Sequence, residues 1–66
     1  MNEAFKWYKL AADQGHAAGI HNLGIMYYYG YGCTKSVYKS YELVKKAMEL
    51  GYEPAKKNLE IIRKAL

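Results

Sequence analysis

Apolar and polar positions alternate with helical periodicity along most of the chain, and glycines interrupt that periodicity at intervals. In the first segment, apolar side chains recur every three or four residues, which is the spacing of one helix face. These positions are Ala4, Trp7, Tyr8, Ala11 and Ala12. The pattern breaks at glycines, which suit the positive-φ conformation that ends a helix. They are Gly15, Gly30, Gly32 and Gly51. The sequence therefore predicts four helices, over about residues 3–14, 17–29, 36–50 and 53–66.

Two local signals set the starts of the third and fourth helices. Ser36 precedes an apolar-periodic run and is a preferred N-cap residue. Pro54 suits the first turn of a helix, where its missing N–H needs no partner. The last helix is predicted to bury one apolar face, formed by Ala55, Leu59, Ile62 and Leu66. Its outer face is charged, with Lys56, Lys57, Glu60, Arg63 and Lys64.

The chain repeats itself with a period of 36 residues and no gaps. This shift places Gly15 on Gly51 and aligns further pairs of similar residues: Ala11 with Ala47, Asn22 with Asn58, Leu23 with Leu59, and Ile25 with Ile61. Two helices per period of this length are typical of an α-solenoid. We therefore predict an all-α fold, an α/α solenoid of two antiparallel helix pairs, with copy one at 1–35 and copy two at 36–66. The charged last helix suits a terminal cap, so we expect the C-terminal part of a longer solenoid.

The motif residues resemble those of a known repeat family. The first run is Ala4-x-x-Trp7-Tyr8-x-x-Ala11-Ala12-x-Gln14-Gly15-His16-Ala17, and the second is Asn22-Leu23-Gly24-x-Met26-Tyr27-x-x-Gly30-x-Gly32. Together they resemble the Sel-one-like repeat (SLR) family, a tetratricopeptide-like (TPR-like) helical repeat. The resemblance implies a right-handed superhelix that scaffolds protein complexes. Gly19, His21, Cys33 and Ser36 depart from the family's usual alanine, aromatic, valine and aspartate. Glycine at position 19 should cost up to ~1 kcal/mol relative to alanine.

No catalytic arrangement is visible in the sequence. It contains no phosphate-binding loop, no dinucleotide-binding glycine motif and no nucleophile elbow. His16 and His21 are five residues apart, so they do not share a helix face as metal ligands would. Cys33 is interpreted as a small apolar filler rather than a reactive thiol. We therefore expect no enzymatic activity, no cofactor and no metal.

The first helix of each copy is the candidate binding surface, because the resemblance places these helices on the concave face. Matching positions carry an aromatic ring and charged side chains that could bind a partner protein or peptide. They are Phe5, Lys6, Lys9 and Asp13 in copy one, and Tyr41, Glu42, Lys45 and Glu49 in copy two. The alternative is that the rings pack against neighbouring helices and the lysines are simply solvated.

The net charge of +4 leaves a second class of partner open. Residues 1–34 balance, whereas residues 35–66 carry eight basic and four acidic side chains. A basic half attracts nucleic acid or acidic protein, and tyrosines 27, 28, 29 and 31 could stack on bases. Helical spacing should instead spread these rings around the axis, so nucleic-acid binding is the less favoured alternative.

Phe5 and Trp7 lie on a helix with no preceding helix to cover them, so we expect either a preceding portion of a longer solenoid or self-association through this helix. No apolar run approaches the roughly 20 residues that a membrane span needs. The single cysteine and the lack of a signal peptide favour a cytoplasmic protein.

Overall fold

The computed structural model describes residues 2–66, and the side chains of Asn2, Ala4 and Phe5 lie outside that description. Residues 2–66 form four helices and no strand: α1 (Asn2–Asp13), α2 (Ala17–Tyr29), α3 (Val37–Glu49) and α4 (Glu53–Lys64). Each helix packs mainly on its neighbours in the sequence, and short connections make those neighbours antiparallel. The Cα atoms fill 27 × 23 × 14 Å, and α2 also reaches α4 through a hydrogen bond between His21 and Asn58. The predicted all-α solenoid of two helix pairs is confirmed.

The two turns within the helix pairs have the same hydrogen bonds, 36 residues apart. In the first turn the Gly15 N–H donates to the Ala12 carbonyl at 2.9 Å, and the next N–H donates to Ala11 at 3.1 Å. The corresponding bonds from Gly51 and the residue after it measure 2.9 and 3.0 Å. Both glycines have positive φ, 81° and 95°, a conformation in which an L side chain would be strained. The glycines therefore close both helix pairs in the same way.

The loop between α2 and α3 joins the two repeats and is fixed at both ends. Gly30 ends α2 with φ 75°, and its N–H donates to the Met26 carbonyl at 2.8 Å. Ser36 caps α3 as predicted, because its hydroxyl accepts from the Lys39 N–H at 3.2 Å. The Ser36 N–H also donates to the Tyr27 carbonyl at 2.9 Å. This bond holds the start of α3 against the end of α2.

The hydrophobic core lies between α2, α3 and α4. Its fully buried apolar side chains are Ile20 from α2, Val44 and Ala47 from α3, and Ala55 and Ile62 from α4. Burying an aliphatic side chain of the size of valine or isoleucine contributes about 1.5–3 kcal/mol. Helix α2 packs on α1 and α3, and helix α3 packs on α2 and α4, so these two are the inner helices.

The last helix matches most of the predicted pattern. Ala55 and Ile62 are buried, Leu59 is half-buried, and the five charged residues of the outer face are exposed. Pro54 lies in the first turn, as expected. The prediction for Leu66 is wrong: this side chain is 60% exposed, because α4 ends at Lys64 and the chain leaves the core before residue 66.

The first helix has no fully buried side chain among its described residues. Tyr8, Ala11 and Ala12 are half-buried against α2. Trp7 is 68% exposed, although it was predicted on the same apolar face. That face is wider than the contact with α2, so the part of it that includes Trp7 and Leu10 faces outward.

Gly19 lies where α1 and α2 approach most closely, and the structure changes the interpretation of this residue. A Cβ atom added at Gly19 would lie 2.6 Å from the Ala11 Cβ and 3.2–3.3 Å from backbone atoms of Ala11 and Ala12. Alanine is the better helix former, but here it would collide with a rigid neighbour. The expected cost relative to alanine is therefore outweighed by the packing that glycine permits.

Candidate interaction surface

The structure leaves most of the predicted binding residues exposed on α1 and α3. The exposed members are Lys6, Lys9, Asp13, Glu42, Lys45 and Glu49. Tyr41 differs from them because it is half-buried and packs against the hydrophobic core, which agrees with the packing alternative for that ring. The side chain of Phe5 lies outside the described residues. A role for these residues in partner binding stays a prediction.

A groove runs between α2 and α3, and the sequence pattern did not reveal most of it. Its volume is about 460 Å³. The apolar part is formed by Leu23, Tyr27 and Leu43, and the charged rim by Lys39, Glu42 and Lys46. Among the predicted binding residues whose side chains the structure describes, only Glu42 lines this groove. The Lys39 ammonium lies 5.4 Å from the centre of the Tyr27 ring, a cation–π geometry.

A signal for this groove was present in the sequence. The groove residues on α3 are spaced at i, i+3, i+4 and i+7, which places them on one helix face. Shifting them back by 36 residues gives Glu3, Lys6, Trp7 and Leu10. These four residues line a second concavity, of about 420 Å³, on α1. The repeat therefore encodes the same face twice.

Three tyrosines form an aromatic cluster at the end of α2, in which Tyr29 and Tyr31 are exposed and Tyr28 is half-buried against the core. The Tyr28 and Tyr29 rings meet edge to face, with centroids 5.1 Å apart, and Tyr29 stacks on Tyr31 at 5.3 Å. The expectation that helical spacing separates these rings is wrong for Tyr28, Tyr29 and Tyr31, whereas Tyr27 is half-buried and lines the groove. Helix α2 ends at Tyr29, and the turn at Gly30 brings Tyr31 back onto the helix end.

His21 connects the two repeats through a hydrogen bond to Asn58. This pairing was not predicted from the sequence. The Asn58 side-chain nitrogen donates to His21 Nε2 at 2.7 Å, which requires the neutral ring with its proton on Nδ1. The ring also lies 5.1 Å from the Tyr52 ring. Its Nδ1 is buried without a hydrogen-bond partner. Burial lowers the pKa of His21, and the Asn22 side chain opposes this effect without cancelling it.

Cys33 has the environment of a packing residue. Its thiol is half-buried and lies 3.7 Å from the Met26 carbonyl oxygen. Burial raises the pKa of this thiol, and Lys39 only partly opposes the rise. A raised pKa keeps the thiol protonated, whereas a reactive cysteine needs the thiolate.

Within residues 2–66, the structure brings together no group of three or more histidine, cysteine, aspartate or glutamate side chains that could hold a metal. No helix in the same range has the length and apolar character needed to cross a bilayer. The exposed groups are a set of helix-surface charges, an apolar groove and an aromatic cluster. These are features of a surface that contacts other molecules.

Comparison with known families decides the identity of the repeat. The model of the Sel1 repeat matches residues 1–16 and 17–52. The chain belongs to the Sel1 repeat family. Sel1 repeats generally mediate protein–protein interaction and form a non-catalytic module. No curated protein and no solved structure matches the chain.

The second Sel1 match spans 36 residues, which equals the period found in the sequence. It begins with α2 and ends just before α4, so it groups the helices across the loop rather than within a pair. The division into copies at 1–35 and 36–66, and the place of this segment in a longer solenoid, stay predictions.

Proposed function

We propose that the chain is an adaptor module that binds a partner peptide or helix along the surface formed by α1 and α3. In the superhelix of the family, the first helices of successive repeats line the concave face. Lys9 and Lys45 occupy matching positions on these helices, and both are exposed. Two lysines one repeat apart suit a partner that carries spaced acidic groups.

The groove between α2 and α3 is the observation that carries this proposal. Ligand sites combine an apolar surface with a few polar groups that fix orientation. Here Leu23 and Leu43 supply the apolar surface, and Glu42 and Lys46 stand at the rim. A volume of about 460 Å³ accommodates one or two apolar side chains of a peptide. Glu42 lines the groove and is also one of the charged residues predicted to bind a partner.

A charge-reversal experiment tests the proposed surface. Peptides selected from a random library on the wild-type chain are measured again with the double variant Lys9→Glu plus Lys45→Glu. We expect at least about tenfold weaker binding, since each reversal replaces attraction by repulsion. The matched control is Lys56→Glu plus Lys57→Glu, an equal change in charge on the exposed face of α4. Circular dichroism confirms that both variants are helical.

The control separates a specific surface from a general charge effect. If both double variants lose affinity equally, the partner responds only to net charge and the surface is assigned wrongly. If neither loses affinity, the peptide binds elsewhere on the chain. The single variant Lys46→Glu, at the groove rim, then tests whether the groove takes part.

Nucleic-acid binding stays the alternative. The basic side chains of residues 35–66 are exposed, as such binding requires. Against it, Tyr29 and Tyr31 stack on each other rather than standing apart as a platform for bases. Binding to a nucleic acid would weaken steeply between low and physiological salt, and an absence of binding at low salt excludes it. Self-association through α1 and a cytoplasmic location also stay predictions.

A further inference from the structure

The groove between α2 and α3 has a lysine on each side of its apolar floor. Lys39 and Lys46 line it from α3 and are seven residues apart. A straight helix separates the Cα atoms of two such residues by about 10.5 Å along its axis. Leu43 lies between the lysines on the same helix face and forms the floor together with Leu23. Since both lysines are exposed, the groove offers two cationic groups on either side of an aliphatic surface.

The charged residues at the rim of the groove form no ion pair with one another. Glu42 follows Lys39 by three residues and precedes Lys46 by four, a spacing at which ion pairs form on a helix. Neither pair occurs, and the one ion pair of residues 2–66 lies on α4. Lys39 instead lies over the Tyr27 ring, a contact that is weak at an exposed site. Both ammonium groups are therefore available to a partner with negative charge.

The equivalent face of α1 does not have two cationic ends. Shifting the sequence by 36 residues places Glu3 at the position of Lys39 and Leu10 at the position of Lys46. The concavity on α1 therefore has one acidic end and one apolar end. The pair of lysines is a property of the groove between α2 and α3, and it does not follow from the repeat.

An extended acidic segment with one aliphatic side chain fits this order of groups. In an extended chain alternate side chains point to the same side, and residues i and i+4 are about 13 Å apart. A leucine at i+2 can enter the apolar floor while carboxylates at i and i+4 reach the two lysines, whose stems are flexible. A helical partner would instead present apolar side chains at i, i+3, i+4 and i+7, which is more than the one or two that the groove accommodates.

We propose that the groove binds an extended segment of a partner protein with the pattern acidic-x-leucine-x-acidic. This inference rests on the proposed adaptor function and adds the chemistry of the partner. Lys39 and Lys46 are the specificity-determining residues, because they select two carboxylates at a fixed spacing. Glu42 lies between them, so it disfavours a third carboxylate beside the leucine, and it can accept a hydrogen bond from a backbone N–H or a hydroxyl of the segment.

Nuclear magnetic resonance of the isotope-labelled chain tests the proposal. The probe is an acetylated and amidated peptide that contains Asp-Ser-Leu-Ser-Asp between glycine–serine flanks. We expect saturable shifts for the backbone amides of Lys39, Leu43 and Lys46, and none for the indole N–H of Trp7, which lies on the equivalent face of α1. Two control peptides replace the motif by Asp-Asp-Ser-Ser-Leu, which has the same composition, or by Asp-Ser-Ala-Ser-Asp. Each should bind at least about fivefold more weakly.

Two double variants locate the contact on the chain. Lys39→Gln plus Lys46→Gln should weaken binding at least about fivefold, because both carboxylates lose their partners. Lys56→Gln plus Lys57→Gln removes the same charge from the exposed face of α4 and should change the affinity less than about twofold. The dispersion of the amide signals shows that each variant is folded.

The inference is overturned by the absence of a saturable shift, by equal binding of the permuted peptide or by equal losses in the two double variants. A shift of Trp7 without shifts of the groove amides would assign the peptide to α1 and would also overturn it. The adaptor function is tested separately by the peptides selected from the library. Selected peptides that bind without this pattern, or that bind the groove as a helix, would support the adaptor function and overturn the inference.

Discussion

Helices α1 and α3 occupy the same position in the repeat, yet they differ sharply in burial. Val44 of α3 is fully buried, whereas its counterpart Tyr8 on α1 is half-buried. Ala47 is fully buried and its counterpart Ala11 is not. The difference follows from neighbours, because α3 packs on both α2 and α4 while α1 packs mainly on α2. In a repeat protein, the stability of a helix depends on the helices beside it as much as on its own sequence.

The largest expected difference in stability comes from a charge placed at the equivalent positions Val44 and Tyr8. Val44→Asp puts an unpaired carboxylate into the core, and we expect a loss of at least about 3 kcal/mol in the free energy of unfolding. A domain of this size has little stability to spare, so this variant should be unfolded. Tyr8→Asp should leave α2, α3 and α4 folded, because the carboxylate can reach water. Urea titration followed by circular dichroism measures both. Equal losses would contradict the difference between inner and outer helix.

The next prediction compares the contact between α1 and α2 with the equivalent contact between α3 and α4. Ala47 and Ala55 pack with both methyl groups present, whereas their counterparts are Ala11 and Gly19. We expect Gly19→Ala to reduce the free energy of unfolding by about 1–3 kcal/mol through overpacking, although alanine is the better helix former. Thermal unfolding provides the measurement.

The double variant Gly19→Ala plus Ala11→Gly is the control for that contact. It removes the 2.6 Å approach of the two Cβ atoms and should recover part of the lost stability. An increase in stability for Gly19→Ala alone would show that the pair tolerates the methyl group, as the second repeat does.

The contact between the two repeats should respond to pH through His21. The folded state keeps this ring neutral because burial lowers its pKa, while the unfolded chain protonates it near its ordinary value of about 6.5. Below that pH the unfolded state binds more protons, so stability falls as the pH is lowered from about 6.5 toward the folded-state pKa. The slope is at most about 1.4 kcal/mol per pH unit for one proton.

Urea midpoints measured from pH 7.5 to 5.5 test this dependence. His21→Phe should flatten the curve, because the buried titrating group is gone. His16→Gln is the control, since His16 is exposed in a turn and its replacement should retain most of the slope. A slope that survives in His21→Phe would assign the effect to another group.

The smallest effect concerns a hydroxyl that only one repeat contains. Ser40 is fully buried and its Oγ has no hydrogen-bond partner, while the matching residue in the first repeat is Ala4. We expect Ser40→Ala to stabilise the chain by about 1 kcal/mol, since it removes an unsatisfied polar group. Ser36→Ala should instead destabilise it by about 1 kcal/mol through loss of the α3 cap. The same sign for both substitutions, measured by thermal unfolding, would contradict this account.

The sequence predicted the features that local patterns determine. Gly15, Gly30 and Gly51 located the ends of the first three helices, Ser36 located the start of α3, and the 36-residue period indicated stacked helix pairs. Tertiary distances were not predictable in this way. Whether glycine at position 19 stabilises or destabilises the fold depends on the distance to Ala11. The hydrogen bond between His21 and Asn58 joins residues 37 positions apart. Both features depend on how neighbouring helices pack, which cannot be predicted from a single sequence.

The candidate site was predicted in part for the same reason. Exposed charges such as Lys9 and Lys45 follow from helical periodicity, and the structure leaves them on the surface. The groove requires α2 and α3 together, so the sequence did not single out Leu23 and Leu43 as binding residues. The face of α3 that lines the groove could be matched to the face of α1 around Trp7 only when the 36-residue period and the structure were both known.

Hydrogen exchange of backbone amides tests the central claim most directly. The claim is that two equivalent helices differ in stability because one is covered on both sides and the other on one side. The amides of Val44 and Ala47 should exchange slowly, near the rate set by global unfolding, whereas those of Tyr8 and Ala11 should exchange much faster through local opening of α1. Equal protection at the two pairs of positions would contradict the claim.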